Sequence, residues 1–188
     1  MRRKRLSAAK KRRHRTAFQN IRVRARPGRR SEGWLQAGAL HVRAALGSSG
    51  IRANKREGDR ATPKGCFRLL RLWWRADRTP RPRTLLPLRR IKRADAWCED
   101  PNDRRYNRPM RLTRDAPGDR LWREDHLYDF IIELDHNSRP RVTGRGSAVF
   151  VHVARPGFHP TAGCVALAPR TLRRLLERIG PRTRILIG

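Results

Sequence analysis

Charge constrains this chain more than any other property. Its 188 residues carry 47 Lys and Arg against 16 Asp and Glu, a formal net charge of +31. Repulsion on that scale opposes compaction, so a folded part must collect its core from limited apolar material and keep its cations at the surface. The charge is also uneven. The first 30 residues hold 14 Lys and Arg and no acid, in runs such as Met1-Arg2-Arg3-Lys4-Arg5 and Lys10-Lys11-Arg12-Arg13. Residues 1–18 therefore read as a basic, disordered tail with little to bury, and residues 19–188 as one folded domain. That domain is basic too, since +17 remains on residues 31–188. Such a surface attracts nucleic acid, anionic headgroups or carboxylate-rich wall polymers without selecting among them, and a compositional preference for Arg accounts for it equally well.

Composition narrows the classes further. A 37% hydrophobic content with five Trp and five Phe is too apolar for a wholly disordered chain. No run approaches the roughly 18 apolar residues of a spanning helix, so an integral helical membrane protein is excluded. The basic front resembles the start of a secretory signal, but no apolar stretch or small-residue cleavage site follows it. A cytoplasmic location is the expectation for the sequence as given; the periplasm or cell envelope would require another export route or a different start. Cys66, Cys98 and Cys164 are odd in number and scattered, so reduced thiols are expected, one of them free to react.

Period-two patterning dominates after Asn20. Ile21, Val23 and Ala25 alternate with arginines up to Pro27-Gly28, and Trp34 to Val42 reads as two strands about a turn near Gly38. Phe67 to Trp74 is an apolar run whose phase slips at Leu69-Leu70, the mark of a bulged strand. Residues 76–124 are rich in Pro, Arg and Asp with little periodicity, and an excursion of that length is more often functional than idle. Leu127 to Leu134 and Ser147 to Ala154 read as strands, the second so continuously apolar that it is expected to be central and buried on both faces. Pro169 to Ile179 places Leu172, Leu175, Leu176 and Ile179 at helical spacing, with Pro169 at the first position and Gly180 as the stop. Thr183 to Ile187 closes the chain as a strand. Many strands and one helix predict a mainly β fold, a sandwich with one or two short helices, over a doubly wound α/β sheet.

One constellation carries chemistry. His152 lies in the central strand on the face of Phe150 and Ala154, and Cys164 comes twelve residues later, after a Pro156-Gly157 turn and Pro160. That loop can fold back over the strand end and bring the thiol to the imidazole. A neighbouring imidazole lowers a thiol pKa and makes the thiolate nucleophile, and Gly163 offers close backbone approach and an amide for an oxyanion. Spacing alone leaves two bland readings open: a small buried cysteine and a satisfied core histidine. Cys66 and Cys98 read as packing residues, Trp73 and Trp74 as core or cleft packing rather than base-stacking platforms. Cys98, His126 and His136 lack zinc-ligand spacing.

The stretch from His152 to Leu167, His-Val-Ala-Arg-Pro-Gly-Phe-His-Pro-Thr-Ala-Gly-Cys-Val-Ala-Leu, resembles the active-site signature of the L,D-transpeptidase (YkuD-type) catalytic domain. The match is to its short proteobacterial variants, with the pattern H-x-A-R-x-x-x-x-P-T-x-G-C-(I/V)-A-L. Thr62-Pro63-Lys64-Gly65-Cys66-Phe67 resembles the T-P-x-G-x-F segment of that family, and Trp97-Cys98-Glu99-Asp100-Pro101 with Tyr106-Asn107-Arg108 a further one. The resemblance implies an L,D-transpeptidase-like β-sandwich, Cys164 as nucleophile, His152 as base and later acid, and Gly163 on the oxyanion side. It implies peptidoglycan stem peptides as partners, no metal or organic cofactor, and acylation by carbapenems. Arg155, Thr161, Tyr106 and Asn107 are the substrate-side candidates. Thr161-Ala162 stands where the common pattern has Ser-His, and Val153 where it has Gly, which bears on the acceptor side; His159 is a displaced candidate for the missing histidine.

The activity implied is release of terminal D-alanine from a tetrapeptide stem through a thioester, then transfer to an amine. The alternatives are a cytoplasmic L,D-carboxypeptidase that uses water, and, in a different class, a nucleic-acid or polyanion binding module built on the basic tail.

Overall fold

The computed structural model describes residues 17–114 and 118–188; all but the last two residues of the expected tail fall outside them. The chain starts as a meander. β1 (Asn20–Arg26) turns through Pro27-Gly28 into β2 (Arg29–Ala37), which turns at Gly38-Ala39 into β3 (Leu40–Ala45). Alternation puts Ile21, Val23, Leu35 and Ala37 inside and the arginines of β1 outside. Two short strands, β4 (Ile51–Arg52) and β5 (Thr62–Pro63), pair in parallel before the long β6 (Gly65–Trp74). β7 (Leu88–Arg90), β8 (Asp95–Trp97), β9 (Pro109–Arg111) and β10 (Asp119–Arg120) come next. β11 (Phe130–Leu134), β12 (Phe150–Val153) and β13 (Val165–Leu167) precede helix α1 (Pro169–Leu176) and the final β14 (Arg184–Ile187).

The expected mainly β sandwich closes on itself. Pairing runs β11-β12-β13-β3-β2-β1-β14-β6, and β6 pairs again with β11, so the strands form a ring with β7 alongside β6. The bulge read from the phase slip makes this closure possible. Glu133 pairs with Arg71 and Leu134 with Leu69, which leaves Leu70 as the extra residue. Below the bulge β6 pairs β14, above it β11, and the added twist lets one strand serve both sides.

β12 and β13 divide two apolar clusters. Val151, Val153, Val165 and Leu167 face the main core with Val23, Leu35, Leu72 and the α1 leucines. Each buried leucine there contributes about 1.5–3 kcal/mol of transfer free energy. Phe150, Ile131, Trp73 and Cys164 face a second cluster with Trp97, Leu121 and Tyr128. The aperiodic stretch 76–124 supplies that second cluster: β10-β8-β9 form a small sheet of their own, and Trp97 packs edge-on against Phe150 at 5.0 Å. Trp73 and Trp74 are buried, as expected. Arginines cover aromatic faces elsewhere: Arg75 lies 3.6 Å from the Trp122 ring centroid, Arg178 4.0 Å from Phe18 and Arg89 4.2 Å from Trp73. No helix among the described residues is long and apolar enough to cross a membrane.

Four expectations need correction. β11 starts at Phe130 because Leu127–Asp129 form a turn in which Tyr128 bonds Asp119. β12 starts at Phe150 because Ala148 takes a left-handed φ of 49°, which no strand residue can. α1 ends at Leu176, and Gly180 is instead a packing glycine whose amide donates to Thr183 Oγ1 at 3.0 Å. Cys66 is exposed rather than packed.

Direct backbone contact fixes the segment after β3. A Cβ on Gly47 would sit 2.2 Å from the Arg60 carbonyl oxygen, so two backbones touch there with no room for a side chain. The Gly47 amide also donates to the buried Thr62 Oγ1 at 2.8 Å. Gly47→Ala is expected to cost about 1–3 kcal/mol or more, the usual range for forced overpacking. Gly58→Ala, with nothing within 4 Å of its Cβ, is expected to cost only the smaller penalty of its positive φ. Paired denaturant titrations check the order.

Candidate active site

The site is built on the turn Thr161-Ala162-Gly163-Cys164. The Thr161 amide donates to Leu46 O at 2.9 Å and Thr161 O accepts from Ser48 N at 3.1 Å, so the turn is sewn to the extension of β3. Its own hydroxyl closes it, donating to Cys164 O at 2.6 Å and accepting from Gly163 N at 3.1 Å. Gly163 has φ 142°, and a Cβ there would lie 2.9 Å from the Ala61 carbonyl oxygen. Glycines 47 and 163 thus press from two sides on the backbone of Arg60-Ala61.

β13 then leaves the turn parallel to β12, with His152 opposite Ala166. Cys164, two residues before Ala166, shares the face of His152 and is its diagonal neighbour across the strand pair. Both line one cleft of about 830 Å3, together with Lys55, Glu57, Glu99, Asp119 and Tyr128. Each keeps a small exposed fraction, 8% for Cys164 and 7% for His152, so the sulfur has a route to solvent.

Both groups are neutral at rest. The thiol donates to Ala148 O at 3.2 Å and its sulfur accepts from Phe150 N at 3.3 Å. Burial pushes the thiol up to about 12; Asp119 and Glu99 push the same way, against the Phe150 amide and Lys55. His152 Nδ1 meets Val153 O at 2.8 Å, which makes Nδ1 the donor and leaves Nε2 unprotonated. Its ring stands edge-on to Tyr128 at 5.4 Å. Burial lowers its pKa to about 4, with Arg123 and Arg155 adding to the effect and the Val153 bond opposing it. Burial thus disfavours the charged form of both groups, thiolate and imidazolium alike.

The remaining candidates separate. Arg155 is exposed and lines the cleft, as does His159. Thr161 borders the cleft too, but its hydroxyl is engaged in closing the turn rather than free for a ligand. The Gly163 amide, on the expected oxyanion side, donates to Thr161 Oγ1. Tyr106 and Asn107 do not line this cleft. Tyr106 is buried and its hydroxyl donates to Glu57, while Asn107 is held by four side-chain hydrogen bonds and borders a separate, arginine-lined cleft of about 550 Å3. The sequence motif puts both in the substrate cleft; the structure puts them in its supporting wall.

Residues missed by sequence reading form the rim. Lys55 is buried and bonds Asp59 and Arg56 O. Glu57, Glu99 and Asp119 bring three carboxylates to one cleft of a chain with 16 acids. Glu99 opens to solvent, yet the cleft walls, together with the Asp119 and Glu57 charges, push it up to about 7. Their scarcity was the available signal, since an acid in so basic a chain is conspicuous by position. Among the described residues no group of three or more His, Cys, Asp or Glu is arranged to hold a metal ion.

Residues 17–187 match the family model of the L,D-transpeptidase catalytic domain, YkuD. No curated protein gives a significant match. Among solved structures the chain is similar to Bd1075 of Bdellovibrio bacteriovorus, with 14% identity, a TM-score of 0.45, and coverage of 93% of this chain and 51% of that one. It is similar to a mutant L,D-transpeptidase of Enterococcus faecium, with 14% identity, a TM-score of 0.38 and coverage of 92% and 50%. It is also similar to L,D-transpeptidase 3 of Mycobacterium tuberculosis carrying a faropenem-derived adduct, with 12% identity, a TM-score of 0.39 and coverage of 89% and 60%. The chain spans about half the length of the first two.

The buried imidazole makes stability depend on acidity. Unfolded, His152 takes up a proton as pH falls below its ordinary 6.5; folded, it does not until about 4. Its contribution is therefore complete above 6.5 and lost as pH falls towards 4. Thermal melts between pH 7 and 4.5 are expected to show a falling Tm, and His152→Gln a smaller fall over the same interval.

Proposed function

The chain belongs to the L,D-transpeptidase catalytic domain (YkuD) family, and from that premise we propose that it is a cysteine acyltransferase of peptidoglycan stem peptides, with Cys164 as nucleophile and His152 as proton carrier. The observation that carries the proposal is the shared cleft, in which a thiol and an imidazole with bare Nε2 face the same space. Nε2 takes the thiol proton as sulfur attacks the carbonyl carbon between the third residue and the terminal D-alanine. Coupling the two steps avoids a free buried thiolate, which the neutral resting pair disfavours. The Cys164 amide receives the oxyanion in this reading, since the Gly163 amide already donates to Thr161 Oγ1. The carbon–nitrogen bond then breaks, D-alanine nitrogen takes the proton from Nε2, and a thioester remains. Arg155 at the rim suits a substrate carboxylate.

The acceptor in this proposal is an amine of a second stem. It attacks the thioester carbonyl, gives its proton to Nε2, and the sulfur leaves and is reprotonated. Glu57, Glu99 and Asp119 support this over water, since carboxylates in the cleft hold an incoming ammonium and Glu99 is poised to accept its proton.

Intact mass after carbapenem treatment tests the nucleophile. One adduct is expected on the wild type and none on Cys164→Ser, whereas an unmodified wild type counts against the assignment. His152→Gln is expected to slow acylation by about 10²–10⁴-fold. Incubation with a tetrapeptide and a second stem tests the acceptor: cross-linked dimer is expected, and tripeptide with D-alanine alone would indicate the hydrolase. Glu99→Gln is expected to lower the dimer-to-tripeptide ratio by about tenfold, the low end for losing a charged hydrogen bond. The wild-type ratio should rise as pH passes through about 7, where Glu99 ionises.

A further inference from the structure

The Cys164 thiol has a proton acceptor other than His152. That acceptor is the carbonyl of Ala148, 3.2 Å from the sulfur. Ala148 holds φ at 49°, a conformation that costs a residue with a side chain roughly 1–2 kcal/mol and persists only where its surroundings enforce it. What enforces it is visible. The Ala148 amide donates to Asn107 Oδ1 at 3.2 Å, and the same oxygen accepts from Trp97 Nε1 at 3.0 Å. Asn107 Nδ2 donates to His136 O at 3.0 Å and to Asn137 O at 2.8 Å, which fills the amide's capacity and fixes its orientation.

We infer that Asn107 is a positioning residue for the nucleophile: by holding Ala148 it aims the carbonyl that retains and orients the Cys164 thiol proton until substrate arrives. The inference rests on the reading of Cys164 as nucleophile. Asn107 does not line the catalytic cleft, so it acts through Ala148 and not on substrate. A carbonyl that accepts from the thiol stabilises the protonated form, and a fixed carbonyl fixes the sulfur's direction of approach. Loosening it has two opposite consequences: the thiol ionises more readily, and the sulfur attacks a bound stem less well.

The test separates these consequences. Alkylation of Cys164 by iodoacetamide is monitored across pH by peptide mass, which distinguishes it from Cys66 and Cys98. Acylation by a tetrapeptide stem is measured in parallel. Asn107→Ala is expected to shift the alkylation midpoint to lower pH while acylation falls by about tenfold, the effect of losing the one of its four hydrogen bonds that reaches Ala148. Trp97→Phe keeps an aromatic side chain against Phe150 and removes one bond to Asn107, and a smaller shift in the same directions is expected; it serves if Asn107→Ala does not fold. The other groups facing the sulfur, namely Asp119, Glu99, Lys55, Tyr128 and His152, are unaltered in both variants. An unchanged alkylation profile in the folded variants, or alkylation and acylation falling together, overturns the inference. A wild type that alkylates at Cys164 but is never acylated there removes the nucleophile reading and this inference with it.

Discussion

The site depends on a parallel pairing of two short strands. β12 and β13 run the same way with His152 opposite Ala166, and a parallel pair cannot be joined by a tight hairpin. The crossover from Ala154 to Cys164 is therefore long enough to turn at Pro156-Gly157 and bind to the end of β3 before Cys164 begins the return. Register alone then puts sulfur and imidazole on one face. Backbone contact holds the turn from the other side, where Gly47 and Gly163 press on Arg60-Ala61.

The electrostatics of the cleft run against those of the chain. A net charge of +31 would be expected to favour a thiolate, yet Asp119 and Glu99 act on Cys164 to disfavour one, with Lys55 opposing them more weakly. Most cations are at the surface, where solvent and salt screen them within about 8–10 Å. Local burial and two carboxylates outweigh them. Overall charge therefore says little about the reactivity of the sulfur.

Legibility in the sequence tracked the strength of local periodicity. The β1–β3 meander, the α1 leucines and β14 were readable because alternation or helical spacing persists for several residues. The bulge was readable because Leu69-Leu70 breaks the phase of an otherwise regular run. The starts of β11 and β12 were not: nothing in Tyr128 or Ala148 as residue types announces a turn or a left-handed φ, which tertiary bonds to Asp119 and Asn107 impose. β8, β9 and β10 are two or three residues long, too short for any pattern. Cys164 and His152 stand out through a compact motif. Tyr106 and Asn107 belong to the right neighbourhood but support the cleft from within its wall, through Glu57 and Ala148, a distinction that only packing makes. The acidic rim escaped because its members stand at positions 57, 99 and 119 and meet only after folding.

The stacking of guanidinium groups on aromatic rings gives meaning to a detail of composition, that 41 of the 47 cations are arginine. An ammonium would preserve the electrostatic total but not the flat cover over Trp73, Trp122 or Phe18. Rewriting the chain with lysine would thus expose hydrocarbon that now lies beneath a planar cation. Guanidinium also keeps its proton under strongly alkaline conditions, where an amine-rich surface would be discharged. The positive charge of the surface therefore persists to a higher pH than the same number of lysines would allow.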